Sequence, residues 1–158
     1  MKEILFKLGL FGSEAERAAS ERVLAKALDL LFTADVEYLR AHPNTPSIYT
    51  PGLVRYQREP LPGQEWVRQE VMTPTGPRIA VYPRAPEEWK AIPYILKDGY
   101  ADCEDLACGR SAELVVHHHI EARPTFSFRN VGNLSVYHIV TLLPDGSIED
   151  PSKRLGME

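Results

Sequence analysis

The chain of 158 residues is 44% hydrophobic and 25% charged, with 18 basic against 22 acidic side chains and a formal charge of −4. A chain of this kind forms one ordinary domain that buries roughly 70% of its unfolded surface without needing metal or disulfides, which excludes disordered, collagen-like and coiled-coil classes. No apolar stretch approaches the ~20 residues of a membrane span. Lys7 and the charged run from Glu14 to Arg17 interrupt any secretory signal, so the expected setting is cytoplasmic with no membrane partner.

Ser13 with Glu16 three residues later has the spelling of a capping box, ahead of Leu24, Leu28 and Leu31 at helical spacing, continued by Ala34 and Tyr38. This predicts a long amphipathic helix ending before Pro43, because the residue before a proline is pushed out of helical geometry. Residues 1–43 therefore read as an N-terminal helical segment and 44–158 as the remainder of a single globular unit. The apolar stripe of the helix either packs on the domain or forms a partner surface, and that much apolar area is ordinarily covered. From His42 to Pro93, which holds ten of the thirteen prolines, Val54–Tyr56, Trp66–Met72 and Ile79–Tyr82 read as short strands. Pro74-Thr75-Gly76 is turn chemistry that would join the last two as a hairpin. Glu104 to Val116 predicts a second, largely buried helix, followed by strands over Thr125–Arg129, Tyr137–Leu143 and Ser147–Asp150. Helices first and a sheet afterwards make an α+β domain.

Cys103 and Cys108 are the only cysteines. On one helix their Cα atoms stand about 8 Å apart and point in different directions, beyond disulfide reach. Cys103 falls at the helix start, where the positive end of the dipole favours thiolate and a backbone N–H can meet an oxyanion. Asp102, Glu104 and Asp105 oppose that effect by raising the thiol pKa, so a cationic partner is required. From Lys97 to Glu113 two basic side chains stand against five acidic ones, which concentrates most of the net charge about the proposed nucleophile and suggests cationic or amine-bearing ligands.

His138 is the natural partner, on a strand where it shares a face with Val140 and Leu142 and is expected to point inward. Pro144-Asp145-Gly146 reads as a three-residue hairpin loop with glycine in the left-handed position. That loop pairs 143 with 147 and 140 with 150, making Asp150 the diagonal neighbour of His138. A carboxylate there fixes the imidazole tautomer and stabilises its charged form, completing a nucleophile, base and orienter set of Cys103, His138 and Asp150. Each residue also has a plainer explanation: a cysteine packed in the core, a structurally satisfied histidine, and an aspartate forming a turn before Pro151.

The run Asp98-Gly99-Tyr100-Ala101-Asp102-Cys103-Glu104-Asp105 resembles the G-x-G-D-C-E-D nucleophile motif of the transglutaminase-like cysteine superfamily, including its bacterial proteinase-like branch. Val54-Arg55-Tyr56, Glu88-Trp89 and Pro93 resemble elements ahead of that motif, and Ile120-Glu121-Ala122-Arg123, Tyr137-His138 and Ile148-Glu149-Asp150-Pro151 resemble those behind it. The match runs in order over about residues 48 to 156. It implies a papain-like α+β core, with the nucleophile helix packed on an antiparallel sheet, Cys103 as nucleophile, His138 as base and Asp150 as orienter. Trp89, Trp66 and Tyr56 are candidate walls of an acyl-group cleft, each with core packing as the plainer alternative and Trp89 favoured by the resemblance; Trp89, Tyr56, Asp102 and Tyr137 are the expected substrate-binding residues. The spelling around Pro46 to Tyr56 and Asp150 to Met157 is similar to small transglutaminase-like proteins of phages and prophages, which implies a virion-associated location as an alternative to the cytoplasm.

Two departures stand out. Ala101 replaces the usual glycine before Asp-Cys and is strained if that backbone needs positive φ. His119 replaces the helix-ending glycine before Ile120, a substitution that histidine tolerates at some cost. His117-His118-His119 invites a metal reading, but consecutive helical residues splay by about 100°, and cationic side chains suit a helix C-terminus; no metal is expected. The expected activity is formation of a thioester from a protein or peptide amide, resolved by water or by an amine, with no cofactor. The alternative is a non-catalytic structural or adaptor protein, such as a phage virion component, binding phage structural proteins through the Leu24-Leu28-Leu31 helix or the proline-rich segment. The scarcity of basic clusters argues against nucleic acid as a partner in either case.

Overall fold

The computed structural model describes residues 14–58, 66–73, 76–83, 88–131 and 134–158. In chain order these form α1 (Glu14–Ala41), β1 (Arg55–Tyr56), β2 (Trp66–Thr73), β3 (Gly76–Pro83), α2 (Ile92–Asp98), β4 (Tyr100–Ala101) and α3 (Cys103–His117). Then follow β5 (Arg123–Val131), β6 (Leu134–Leu142), β7 (Ile148–Glu149) and α4 (Pro151–Arg154). The chain is thus an α+β protein. Among the described residues no helix is long and apolar enough to cross a membrane.

The central element is α3, which packs against α1 on one side and against β5 and β6 on the other. Leu28 of α1, Ala107 and Cys108 of α3 and Ile139 of β6 form one cluster across these layers. Leu24, Ala27, Leu28, Val36 and Leu39 of α1 are buried, so Leu24 and Leu28, the core of the stripe offered as a partner surface, are used inside the protein. One position departs from the expected stripe: Ala34 is exposed and Asp35 is fully buried. The inward row runs 28, 31, 35, 39 at steps of three and four, and Asp35 is tolerated on it because its Oδ1 accepts a bond from the Ile92 N–H at 2.7 Å. Ser13 and the side chain of Glu16, the expected capping pair, lie outside the described residues.

Asp35 is one of three buried acidic side chains that each accept from a backbone N–H without a backbone partner, here that of the first residue of α2. Asp105 accepts from Lys90 N at 2.6 Å, and Glu113 accepts from Ile48 N at 2.6 Å. A helix start or an irregular backbone cannot satisfy its own donors, and a buried carboxyl oxygen supplies the missing partner. The start of α2 is fixed onto α1, and Lys90 just ahead of α2 and the segment ahead of β1 onto α3, in this way.

β2 and β3 pair antiparallel from Trp66↔Pro83 to Thr73↔Gly76, the hairpin expected around Gly76; Pro74 and Thr75 lie outside the described residues. β5, β6 and β7 form a three-stranded antiparallel sheet in that order. β1 pairs parallel with β4, placing Tyr56 beside Ala101 just before α3 begins. Gly99 ends α2 at φ +75, and a Cβ there would lie 3.4 Å from the Leu53 carbonyl, so glycine lets the chain reverse into β4.

His119 is the only described non-glycine residue with positive φ, at +56, and it follows the C-terminus of α3 where the Ile120 N–H returns to the Leu114 carbonyl at 3.0 Å. This is the left-handed position expected from the missing glycine. Replacing His119 by glycine should stabilise the protein by about 0.5–1 kcal/mol, read as a rise in the urea midpoint at unchanged slope. An unchanged or lowered midpoint would show that the imidazole makes a compensating contact. Ala101, by contrast, sits in β4 without positive φ, so the strain anticipated there does not arise.

Candidate functional site

The hairpin between β6 and β7 has the register set by its loop. Leu143 N donates to Ser147 O at 2.9 Å, Gly146 takes φ +83, and Thr141 pairs with Glu149 and Leu142 with Ile148. Continuing that register places Asp150 across from Val140, diagonal to His138. His138 Nε2 and Asp150 Oδ2 are 2.9 Å apart. The two side chains are 20% and 15% exposed, so the pair is reachable from solvent yet largely shielded.

Asp150 serves two elements at once. Its Oδ1 accepts from Lys153 N at 3.3 Å as the N-cap of α4, with Pro151 at the first helical position, while its Oδ2 meets His138. The plainer turn-forming role and the histidine contact therefore coexist. With Nε2 occupied, Nδ1 is the ring nitrogen left to exchange a proton with another group.

β6 is covered more completely than its alternation suggested. Thr141 donates to the Ala107 carbonyl at 3.2 Å and receives a bond from Ser111 at 3.2 Å, while Ile139 joins the α3 cluster. The α3-facing row of β6 is thus Ile139 and Thr141. Val140 on the other row is buried as well, while His138, next along it, is half-buried rather than fully inward.

Cys103 is the first residue of α3, after Asp102 as N-cap in extended conformation. It is partly exposed, and it packs with Trp89 and Phe126 against the cluster that contains Ile139. Ser111 and Ala107 face Thr141, Ala107 and Cys108 meet Ile139, and Cys103 lies one turn further. The N-terminus of α3 and the 138–139 stretch of β6 consequently lie toward the same end of the helix–sheet seam. Cys103 Sγ donates to Glu104 Oε2 at 3.2 Å. Cys108 is fully buried, its thiol pushed well up by burial and then by Asp35 and other negative groups, with Sγ donating to the Leu28 carbonyl at 3.7 Å. It is a core residue.

Of the expected substrate-binding residues, Tyr56 is half-buried and packs on the cluster of Ile48, Val54, Ile95, Ala101 and Leu106. Its hydroxyl is pushed up to about 12, first by burial, then by a negative Cys103, with Arg58 opposing and Asp102 and Glu104 adding. Tyr56 therefore stays a protonated O–H donor in the electrostatic neighbourhood of Cys103. Asp102 is buried and Trp89 half-buried at the same helix end. The side chains of Tyr137 and Trp66 lie outside the described residues.

The charge expected around Cys103 is distributed differently from its linear count. Glu113 is ten residues along α3, about 15 Å away, and belongs with Ser47, Ile48 and Arg110. Asp98 pairs with Lys90, whose buried Nζ lies 3.2 Å from its Oδ2 and 3.7 Å above the Tyr100 ring. Asp102, Glu104 and Asp105 are the acids that remain at the helix start. His117, His118 and His119 are exposed, and among the described residues no three of His, Cys, Asp and Glu are grouped to hold a metal ion.

Several participants left no readable signal. Lys90 and the Tyr49 cluster, where the Tyr49 hydroxyl and Arg110 Nε both bond Glu149 and Arg154 stacks 4.0 Å over the ring, join residues far apart in sequence. The short helices were more accessible: Ile92-Pro93 with Gly99 behind, and Asp150-Pro151, are start and stop spellings. Compared with known proteins, the chain matches no family model, no curated protein and no solved structure.

Proposed function

We propose that the protein is a cysteine-dependent enzyme of transglutaminase-like type, with a papain-like core, acting on protein or peptide amides. The observation that carries this reading is the 2.9 Å contact between His138 Nε2 and Asp150 Oδ2, which orients an imidazole on the sheet that packs against the helix headed by Cys103. A carboxylate on one ring nitrogen fixes the tautomer and supports the imidazolium, the arrangement a thiol needs in its base.

In this reading Cys103 gives its proton to His138 Nδ1, and the thiolate attacks the amide carbon. The carbon–sulfur bond forms as the carbonyl π pair moves to oxygen, where the N-terminal amides of α3 stabilise the negative charge. The oxyanion collapses, the carbon–nitrogen bond breaks, and imidazolium delivers its proton to the departing amine. Water or a second amine, deprotonated by the neutral imidazole, then attacks the thioester and releases the thiol. Because Ile139 and Thr141 fill the α3 face of β6, proton exchange runs around the end of α3 rather than through the seam. Trp89 and Tyr56 flank that end, with Tyr56 available as a neutral donor.

The test is the pH dependence of Cys103 alkylation by iodoacetamide, with buried Cys108 as internal control. A profile with two ionisations, and a fall of about tenfold at pH 6.5 in His138→Ala, is expected. A single ionisation at an ordinary thiol value that His138→Ala leaves in place would count decisively against the enzyme reading.

A further inference from the structure

The thiol of Cys103 does not stand free at the head of α3; it donates to Glu104 Oε2 at 3.2 Å, and Glu104 is itself buried at 4% exposure. A carboxylate accepting an S–H bond stabilises the protonated thiol and repels the thiolate, and burial strengthens both effects by lowering the local dielectric. The helix N-terminus and the imidazole act in the opposite direction. From this geometry we infer that Glu104 is a restraining residue on the nucleophile: it holds Cys103 as a resting thiol, and ionisation requires that hydrogen bond to be given up. This rests on the reading of Cys103 as nucleophile and adds to it the group that sets its resting state. When the bond breaks, the sulfur keeps the electron pair and the proton passes to His138 Nδ1, so Glu104 neither gains nor loses a proton in the step.

The other groups around the thiol do not replace Glu104. Asp102 precedes it as the N-cap, and Asp105 is turned to the Lys90 N–H. Tyr56 approaches from β1, held neutral first by burial, with Arg58 acting on Tyr56 itself; Cys108 lies deeper in the same helix, and His138 with Asp150 belongs to the sheet. The Glu104 bond acts directly on the sulfur and discriminates between thiol and thiolate.

Glu104→Gln removes the charge at nearly constant shape. Alkylation of Cys103 at pH 6.5 is expected to be about tenfold faster than in the unmodified protein, with the thiolate absorbance near 240 nm appearing at lower pH. On the high-pH plateau, where alkylation of each protein has stopped rising with pH, Glu104→Gln should react no faster, because a less basic thiolate is a weaker nucleophile. That crossing separates altered ionisation from a loosened, more accessible site, which would accelerate alkylation at every pH. Glu104→Asp, retaining the charge one methylene further back, should fall between the two and covers the case in which glutamine disturbs folding. A glutamine or aspartate profile superimposed on the original, or one shifted to higher pH, overturns the inference. Failure of the catalytic reading is seen separately in His138→Ala: an unresponsive histidine with a responsive Glu104 rejects the base and keeps the restraint, and the reverse pattern rejects only the restraint.

Discussion

Glu113→Ala is expected to destabilise the protein by about 3–5 kcal/mol, a large part of the 5–15 kcal/mol typical of a domain. Glu113 is 3% exposed and satisfies three donors: Ile48 N at 2.6 Å, Ser47 Oγ at 2.9 Å and Arg110 at 3.2 Å. Truncation strands the Ile48 N–H inside the core beside a fully buried Ile48 side chain, at about 1–3 kcal/mol for an unmet buried donor. It also leaves Arg110, with a guanidinium that is mostly buried, to its Glu149 pair and the face of the Tyr49 ring. A smaller gain opposes these losses, since the negative charge that helps raise Asp35 disappears. Glu113→Gln should cost only about 1–2 kcal/mol, because an amide oxygen can still accept from Ile48 while the charge on Arg110 is lost. Urea unfolding of both variants checks the order, and amide exchange at Ile48 should accelerate most in the alanine variant. An alanine variant within 1 kcal/mol of the original, or one no worse than glutamine, would show that the 47–49 segment is held by its apolar packing instead.

That example marks the boundary of what the chain discloses before its structure is known. The His138–Asp150 contact was readable because everything that determines it is local: Pro144-Asp145-Gly146 sets the loop length, the loop sets the register, and the register sets the diagonal. Likewise the left-handed turn at His119 follows from the end of one helix. Glu113, Asp105 and Asp35 carried no such mark, because their partners lie 65, 15 and 57 residues away and an acid on a helix ordinarily faces water. A charge tally along α3 therefore assigned Glu113 to the nucleophile, whereas the helix rise carries it to a different set of contacts. The bond from Cys103 to Glu104 joins adjacent residues, yet it depends on rotamers that burial selects, and the linear pattern shows only the proximity of a charge.

Asp35 supplies the clearest pH dependence. Burial is the main cause that lifts its carboxyl to about 7, with the Ile92 N–H lowering it and Glu113 raising it, and Oδ2 has no hydrogen-bond partner among the described residues. The folded-state value stands above the unfolded value of 3.8. Below about pH 3 both states hold the proton and the carboxyl brings no penalty, and at pH 4 the penalty is still small. As pH rises toward 7 the unfolded chain releases its proton while the folded chain retains it, and stability falls by up to about 1.4 kcal/mol per pH unit, approaching a total of about 4 kcal/mol. Asp35→Asn keeps an oxygen for the Ile92 N–H and abolishes the titration. It should therefore be close to the original at pH 4 and more stable than the original at pH 8, by an amount that grows across the interval. The difference between the two unfolding free energies isolates this group from every other carboxylate that titrates in the same range. A constant difference from pH 4 to pH 8 would mean that Asp35 is already charged at low pH, held so by the Ile92 amide. In that case the start of α2 would rest on a buried charge and not on a buried acid.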